Sequence, residues 1–239
     1  MKKKYLFLLT AALILSLCQN AYAMHIAEGF LPPKWAALYF VLSAPFIIIG
    51  VRQVRKKTKK NKDLKMLLAV VAAYAFILSA MKIPSVTGSC SHPTGTGLGA
   101  MIFGPFVASV VSVIVLLFQA ILLAHGGITT LGANTFSMGI VGPIVSYLIY
   151  RGLKNKNRKL AIFLAASLGD LATYTVTSMQ LALSFPAKVG GVMASFTKFA
   201  TIFSITQIPL AIVEGLITIM IFEFIMKYSR EEIKTLSEV

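Results

Sequence analysis

The sequence predicts an all-α, polytopic membrane protein with six to seven transmembrane helices after a cleaved signal peptide. Of its 239 residues, 57% are hydrophobic. Several apolar stretches approach or exceed the roughly 20 residues that cross a bilayer as a helix. The basic residues are concentrated in two short segments between those stretches. A protein that binds nucleic acid would spread its positive charge over one face, so we expect no nucleic-acid partner.

Residues 1–23 have the three parts of a secretory signal: a basic start, an apolar run and an Ala-x-Ala end. Cleavage after Ala23 would leave a single transmembrane domain of residues 24–239. Two alternatives stay open at this point, an uncleaved anchor and a lipoprotein modified at Cys18. The lipoprotein is disfavoured because Leu17 stands where a small residue is needed.

The charge pattern predicts the orientation of the chain in the plasma membrane. Removing the signal peptide takes away three lysines and no acidic residue, so the formal net charge falls from +15 to +12. Eight basic residues lie within 52–65 and five within 151–159. Short basic segments stay on the cytoplasmic side, so both are predicted to be cytoplasmic loops. The mature N-terminus then lies outside and the C-terminus inside.

Counting the crossings predicts a broken helix. The apolar stretches cover 35–51, 64–82, 101–124, 134–150, 160–184 and 200–227. If 101–124 crossed only once, the second basic segment would lie outside, against the charge rule. Proline disrupts a helix interior, so Gly104-Pro105 predicts a short half-helix at 94–103 and a returning helix at 106–124. Irregular backbone at membrane depth must be covered by protein or line a cavity, so this region should be buried.

The dipeptide Met24-His25 follows the predicted cleavage site directly. Cleavage would create a free amine one residue ahead of an imidazole, and a metal ion can bind the amine, the intervening amide nitrogen and the ring. A fourth nitrogen, from another histidine, would complete the tetragonal geometry that Ni(II) and Cu(II) favour. Residues 1–23 block this chelate in the precursor, so processing is predicted to be part of the function.

Two polar loops supply the other histidines. In the segment 88–97, Pro93 restricts His92 to an extended backbone, which favours a fixed imidazole. The segment 125–135 begins with His125, for which we expect a supporting or solvated role in preference to a metal ligand. Asn134 would cap the following helix or orient a ligand histidine. The topology places all three histidines of the chain on the external side.

Two acidic residues, Asp170 and Glu214, lie inside predicted helices. Acidic groups in such segments are costly and mark an ion path or a buried pair. Either role is open from the sequence, so neither residue is assigned to the metal site.

Three motifs carry a resemblance to a known family. The segments 24–31, 91–97 and 126–136 resemble the CbiM/NikM family, the substrate-binding membrane subunits of energy-coupling-factor (ECF) transporters for Co(II) and Ni(II). The resemblance implies a metal held by the amine of Met24, the amide and ring of His25, and the ring of His92. The candidate supporting residues are Ser91, His125, Asn134 and Glu28.

The resemblance also implies partners and a substrate. It predicts a CbiQ-like transmembrane coupling protein, a CbiO-like ATPase and a small CbiN-like subunit. The chain has no phosphate-binding loop, which is consistent with ATP hydrolysis by the partner ATPase. As a transporter subunit it is not expected to be an enzyme or to hold a permanent cofactor. The leading hypothesis is Co(II) import for cobalamin biosynthesis, with Ni(II) uptake as the alternative. An intramembrane metalloenzyme is a weaker alternative, because the chain has no His-Glu-x-x-His or Gly-x-Ser-x-Gly motif.

Overall fold

The computed structural model describes residues 22–23, 25–84 and 89–237. Residues 1–21 of the expected signal peptide, and Met24, lie outside the described residues. The described ranges form eight helices and three short strands. The helices are α1 (Pro33–Lys60), α2 (Leu64–Ala80), α3 (Thr96–Phe103), α4 (Pro105–Leu123), α5 (Leu131–Leu153), α6 (Arg158–Ser184), α7 (Gly191–Tyr228) and α8 (Arg230–Ser237). The strands are β1 (Tyr22–Ala23), β2 (Ile83–Pro84) and β3 (Ser89–Ser91).

The predicted fold class is confirmed. Within the described ranges, α1, α4, α5, α6 and α7 are long and apolar enough to cross a membrane, and α2 is a shorter apolar helix. Large apolar side chains on these helices face outward, among them Val41, Ile121 and Met220, as expected for helices that contact lipid. With the half-helix α3, the arrangement matches the predicted six to seven helices.

The predicted break at Gly104-Pro105 is also confirmed. Helix α3 ends at Phe103 and α4 begins at Pro105. Between them Gly104 has a φ of 92°, a backbone conformation that glycine adopts without steric cost. Proline is tolerated at the first position of a helix because its missing amide hydrogen would have no partner there. Residues 96–101 are buried, so other helices cover the broken backbone.

The structure differs from the sequence prediction at helix ends. Helix α1 continues to Lys60, and α6 begins at Arg158, so most of the basic residues expected in loops are helical. Helix α7 begins at Gly191, well before the predicted start at 200. Hydropathy locates the apolar part of a helix, whereas lysine and arginine sustain the backbone hydrogen bonds equally well. The predicted loops are therefore shorter than expected.

A small three-stranded sheet pairs the residues before Met24 with the segment before His92. Strand β3 lies in the centre, parallel to β1 and antiparallel to β2. The backbone of Ala23 pairs with that of Cys90, two residues before His92. Strand β1 belongs to the segment that cleavage would remove, and it ends directly before Met24. The sheet thus brings residues 22–23 next to the segment that leads into the His92 loop.

The buried apolar residues form clusters near both ends of the helical bundle. One cluster includes Leu64, Phe103 and Ile162, close to the helix ends that carry the basic residues. Another includes Ile26 and Tyr174 and surrounds the segment after His25. Helix α1 joins the two ends with 28 residues, about 42 Å of helix. The histidine end and the basic end are therefore on opposite sides of the protein.

Candidate metal centre

The rings of His25, His92 and His125 meet in one buried cluster. Their centroids are 4.8 Å apart for His25 and His92, 4.7 Å for His25 and His125, and 4.9 Å for His92 and His125. Each can offer one ring nitrogen such that these atoms lie within 4.8 Å of one another. The residues are at most 2% exposed. The prediction that the three histidines approach one site is confirmed for the described chain.

His92 is held firmly by its backbone and by one ring nitrogen. Its carbonyl oxygen accepts hydrogen bonds from the Tyr174 hydroxyl at 2.9 Å and the Gln207 amide at 3.2 Å. Its Nδ1 lies 2.8 Å from the Pro93 carbonyl oxygen, which can only accept, so Nδ1 carries the hydrogen. The lone pair is then on Nε2, which is buried without a hydrogen-bond partner among the described residues. Proteins orient a metal-binding imidazole through a hydrogen bond of its other ring nitrogen, as Nδ1 does here with the Pro93 carbonyl oxygen.

His25 is oriented by Gln119, which lies on α4. The Nε2 atom of His25 is 3.2 Å from Oε1 of Gln119. Because that oxygen is an acceptor, Nε2 donates and the lone pair of the ring is on Nδ1. In a chelate that includes a residue's own amide nitrogen, Nδ1 is the ring nitrogen close enough to the backbone to close the ring. The ring of His25 is thus set for the predicted chelate.

His125 begins the loop that follows α4. Ala124, the residue before it, adopts a φ of 47°, a left-handed conformation that is uncommon outside glycine and that turns the chain. The amide of His125 donates to the Gln119 carbonyl oxygen at 3.1 Å. Its Nε2 is buried with no hydrogen-bond partner in the part of the chain that the structure describes. The structure therefore places His125 inside the cluster, where the sequence favoured a supporting or solvated residue.

The segment after His25 is bound by two side chains of the following loop and helix. Asn134 accepts a hydrogen bond from the amide of Ile26 at 2.9 Å and donates to its carbonyl oxygen at 3.1 Å. The Thr130 hydroxyl donates to the same oxygen at 2.6 Å. Asn134 lies inside α5 and does not cap a helix, so its contribution is to fix the backbone next to His25.

Glu28 extends this attachment. Its carboxylate accepts hydrogen bonds from the backbone amides of Ile128 and Thr129. The hydrogen bond from the Thr129 side chain, followed by those from the backbone, lowers the pKa of Glu28, while burial acts in the opposite direction. A Cβ atom on Gly127 would lie only 2.5 Å from the Cα of Glu28, so glycine is needed for this close approach.

Ser91 and Glu214 hold the His92 loop against α7. The hydroxyl of Ser91 is 2.7 Å from that of Thr206. Glu214 accepts hydrogen bonds from the amides of Thr94 at 2.6 Å and Gly95 at 2.9 Å. The carboxylate of Glu214 therefore supports the turn that follows His92, the candidate metal ligand.

Asp170 belongs to the same buried network. Its Oδ2 accepts a hydrogen bond from the Gln207 amide at 2.5 Å, and that amide also donates to the His92 carbonyl oxygen. Sequence reasoning did not identify Gln207, Gln119 or Tyr174. The two glutamines could have been noticed because each lies inside an apolar stretch, where a buried amide group needs a hydrogen-bond partner.

Burial is the largest influence on all three imidazoles. It lowers the pKa of His25 well below its ordinary value, and the charge of His92 adds to this effect. It lowers the pKa of His92 to about 4, against the hydrogen bond to Pro93, which acts in the opposite direction. Burial and then the charge of His25 lower the pKa of His125. The three rings are therefore neutral near pH 7, the state that binds metal ions.

Comparison with known proteins agrees with this geometry. A family model described as "Cobalt uptake substrate-specific transmembrane region" (CbiM) matches residues 25–232. The chain belongs to the CbiM family. The resemblance inferred from the three motifs is thereby confirmed.

Individual relatives match over nearly the whole chain. The cobalt transport protein CbiM of Clostridium tetani is 71% identical over 239 residues, 100% of this chain and 99% of that protein. The CbiM protein of Thermosipho melanesiensis is 62% identical over 212 residues, 89% of this chain and 90% of that protein. The crystal structure of a truncated transition metal transporter superposes with a TM-score of 0.73 at 28% identity, over 85% of this chain and 99% of that one.

Proposed function

We propose that this protein captures Co(II) on the outer side of the plasma membrane as the substrate-binding subunit of an ECF transporter. The observation that carries the proposal is the position of the lone pairs of His25 and His92. Both rings are buried, both are oriented by a second hydrogen bond, and they lie side by side where the mature chain would begin. Membership in a cobalt-uptake family supports Co(II) as the substrate.

The proposed ligand set contains four nitrogen atoms. They are the terminal amine of Met24, the amide and Nδ1 of His25, and Nε2 of His92. Ile26, the next residue, is fixed by Asn134 and Thr130, which limits the positions that the chelating backbone can take. Glu28 and Asn134 act by holding the backbone of neighbouring segments, and Ser91 acts by joining the His92 loop to the Thr206 hydroxyl.

Cleavage after Ala23 is the step that would create the site. The backbone of residues 22–23 pairs with β3 next to His92, so the scissile bond lies close to the proposed ligands. An uncut chain has a peptide nitrogen at Met24 in place of an amine, and a peptide nitrogen offers no lone pair to a metal ion until it has lost its proton. The signal peptide would then both direct the chain to the membrane and prevent early metal binding.

The partners follow from the transporter class. The chain would work with a CbiQ-like coupling protein, a CbiO-like ATPase and a CbiN-like subunit, which supply energy and release the ion toward the cytoplasm for cobalamin biosynthesis. The basic ends of α1 and α5 lie opposite the histidine cluster. Under the positive-inside rule, that places the cluster outside and the C-terminus in the cytoplasm.

The test is metal analysis of the purified, processed protein together with sequencing of its N-terminus. We expect stoichiometric cobalt in chains that begin at Met24. Inserting one proline between Met24 and His25, with cleavage still after Ala23, should abolish metal retention, because the amine moves by one residue and the proline nitrogen has no hydrogen to lose and cannot bind the ion. The matched control is Met24→Leu, which keeps the backbone nitrogen and should retain cobalt. Retention by the insertion variant would contradict the proposal.

Nickel uptake is the alternative within the same class. It is favoured by the chemistry of the ligands, because planar nitrogen coordination suits Ni(II) at least as well as Co(II). Competition between equal concentrations of the two ions for the processed protein distinguishes them. Preferential retention of nickel would assign the protein to nickel uptake and leave the ligand set unchanged.

A further inference from the structure

We propose that His125 is a fifth ligand to the transported ion, placed on the axis of the planar nitrogen set, and that it favours Co(II) over Ni(II). This inference rests on the proposed function, because it requires the planar site of Met24, His25 and His92. It assigns a direct metal contact to a residue for which the sequence favoured a supporting role.

The first observation is the state of the His125 ring. The residue is 1% exposed, and its Nε2 has no hydrogen-bond partner among the residues that the structure describes. Buried polar atoms are nearly always satisfied, so an unpaired imidazole nitrogen in a protein interior calls for a partner. The neighbouring rings are those of His25 and His92, and the Nε2 of His92 likewise has no hydrogen-bond partner among the described residues.

The second observation is that the ring of His125 is not needed to hold its loop. The loop is attached through the backbone amide of His125 to the Gln119 carbonyl, through Thr130 and Asn134 to Ile26, and through Glu28 to the amides of 128–129. These contacts fix the chain on both sides of His125. Its ring is therefore free for another purpose.

The third observation is that the three rings form a nearly equilateral triangle, since the centroids of His25 and His92 are 4.8 Å apart. The centroid of His125 is 4.7 Å from that of His25 and 4.9 Å from that of His92, so it favours neither. The four proposed nitrogens fill the plane around the ion and leave only the positions above and below it. A ring that is nearly equidistant from two ligands of the plane suits one of those axial positions.

Gln119 links the two histidines that this arrangement requires. Its side-chain oxygen accepts from Nε2 of His25, and its backbone oxygen accepts from the amide of His125. A single residue at the end of α4 thus sets the ring of a planar ligand and the starting point of the axial one.

An axial nitrogen changes the choice of metal. Ni(II) in a planar field of four nitrogens is low-spin and gains little from a fifth ligand. Low-spin Co(II) has one electron fewer, so the orbital that points along the axis is only half filled, and the ion binds an axial imidazole well. Since proteins select divalent metals by geometry more than by raw affinity, His125 would correct the preference that the planar site alone has for nickel.

Electron paramagnetic resonance of the processed protein loaded with Co(II) tests the contact directly. In a planar complex with an axial nitrogen, the unpaired electron lies along the axis, and that nitrogen splits each cobalt hyperfine line into a triplet. We expect this triplet in the wild-type protein. Labelling its histidine with the heavy nitrogen isotope should convert the triplet into a doublet, and this measurement needs no variant that could fail to fold.

The variant His125→Asn should bind Co(II) without the splitting. We also expect its Co(II) affinity to fall by at least about tenfold, the lower end of what the loss of an outer-sphere partner costs, with a smaller change for Ni(II). Gln180→Asn, a buried amide change on α6 whose described hydrogen bond is made to the Ala133 carbonyl oxygen and not to a histidine, is the control and should leave the splitting intact.

The outcomes separate this inference from the proposed function. A wild-type spectrum of planar Co(II) without axial nitrogen splitting would overturn the role of His125 and leave the transport proposal standing. A doublet that fails to appear on histidine labelling would also overturn it, because the axial nitrogen would then come from another residue. Failure of the processed wild-type protein to bind Co(II) at all would remove both.

Discussion

Two buried polar groups on either side of one turn have opposite surroundings. His92, before the turn, has a buried ring nitrogen without a hydrogen-bond partner within the described residues. Glu214, which binds the far side of the turn, accepts hydrogen bonds from the Thr94 and Gly95 amides and from the Thr94 hydroxyl. Both residues are fully buried. They differ in whether the protein itself satisfies them.

This difference separates a ligand from a support. A carboxylate that accepts several hydrogen bonds stabilises the fold and does not need a cation to be satisfied. An unsatisfied imidazole nitrogen costs the folded protein stability until an ion binds it. We therefore expect a substitution at His92 to lower mainly the metal affinity, and a substitution at Glu214 to lower mainly the stability of the metal-free protein.

The largest effect is expected at His92. The variant His92→Asn should lose at least about a hundredfold in Co(II) affinity, the upper end of the cost for an outer-sphere partner, because it removes the free nitrogen. Its metal-free stability should change little, since the asparagine amide can donate to the Pro93 carbonyl as Nδ1 does. Metal content and thermal unfolding without metal measure the two effects. Stoichiometric cobalt in this variant would contradict the assignment.

The converse is expected at Glu214. In Glu214→Gln an amide group would face the donors of Thr94 or Gly95, so at least one buried hydrogen bond is lost, at a cost of about 1–3 kcal/mol in the free energy of unfolding. The control is Glu223→Gln, which breaks a partly exposed ion pair with Arg158 at 3.8 Å, worth about 0–1 kcal/mol. If the two variants have the same free energy of unfolding without metal, the hydrogen bonds of Glu214 do not stabilise the fold as proposed.

Asn134 should show an intermediate effect. Asn134→Ala removes both side-chain hydrogen bonds to the backbone of Ile26, so the chelating segment becomes less ordered and Co(II) affinity should fall by about tenfold. Gln180→Ala is the matched control, because that amide binds the carbonyl oxygen of Ala133 and not the N-terminal segment. If isothermal titration gives the two variants the same affinity, Asn134 does not position the chelate.

The smallest effect is expected at Glu28 and depends on pH. Hydrogen bonds lower the pKa of this carboxyl in the folded protein, so its attachment to the loop is present above the ordinary value of 4.5 and is lost as the pH falls through the folded pKa. Hydrogen exchange at the amides of Ile128 and Thr129, corrected for intrinsic rates, should accelerate in acid. Glu28→Gln should exchange faster already at neutral pH, and unchanged exchange in that variant would show that the carboxylate is not the tether.

Much of the architecture was predictable because it follows from local chemistry. Long apolar runs must form helices at membrane depth, and Gly104-Pro105 must interrupt one. The helix ends were less predictable, since Lys60 and Lys198 lie within helices although they end or interrupt apolar stretches. The partners of Gln119 and Gln207 were not predictable at all, because an amide in an apolar run requires a partner without specifying which one.

The sequence by itself determined the membrane fold, and it predicted His25 and His92 as metal ligands, with a processed Met24-His25 as a proposed chelate. These predictions rest on hydropathy, on the charge rule and on the chelating geometry of a terminal dipeptide that contains histidine. Each depends on residues close together in the sequence or on their order along the chain, so each can be deduced from the sequence alone. Only the tertiary structure decided which ring nitrogens are free and that His125 joins the cluster. Those depend on contacts between residues about a hundred positions apart, such as His25 with Gln119, which packing alone brings together.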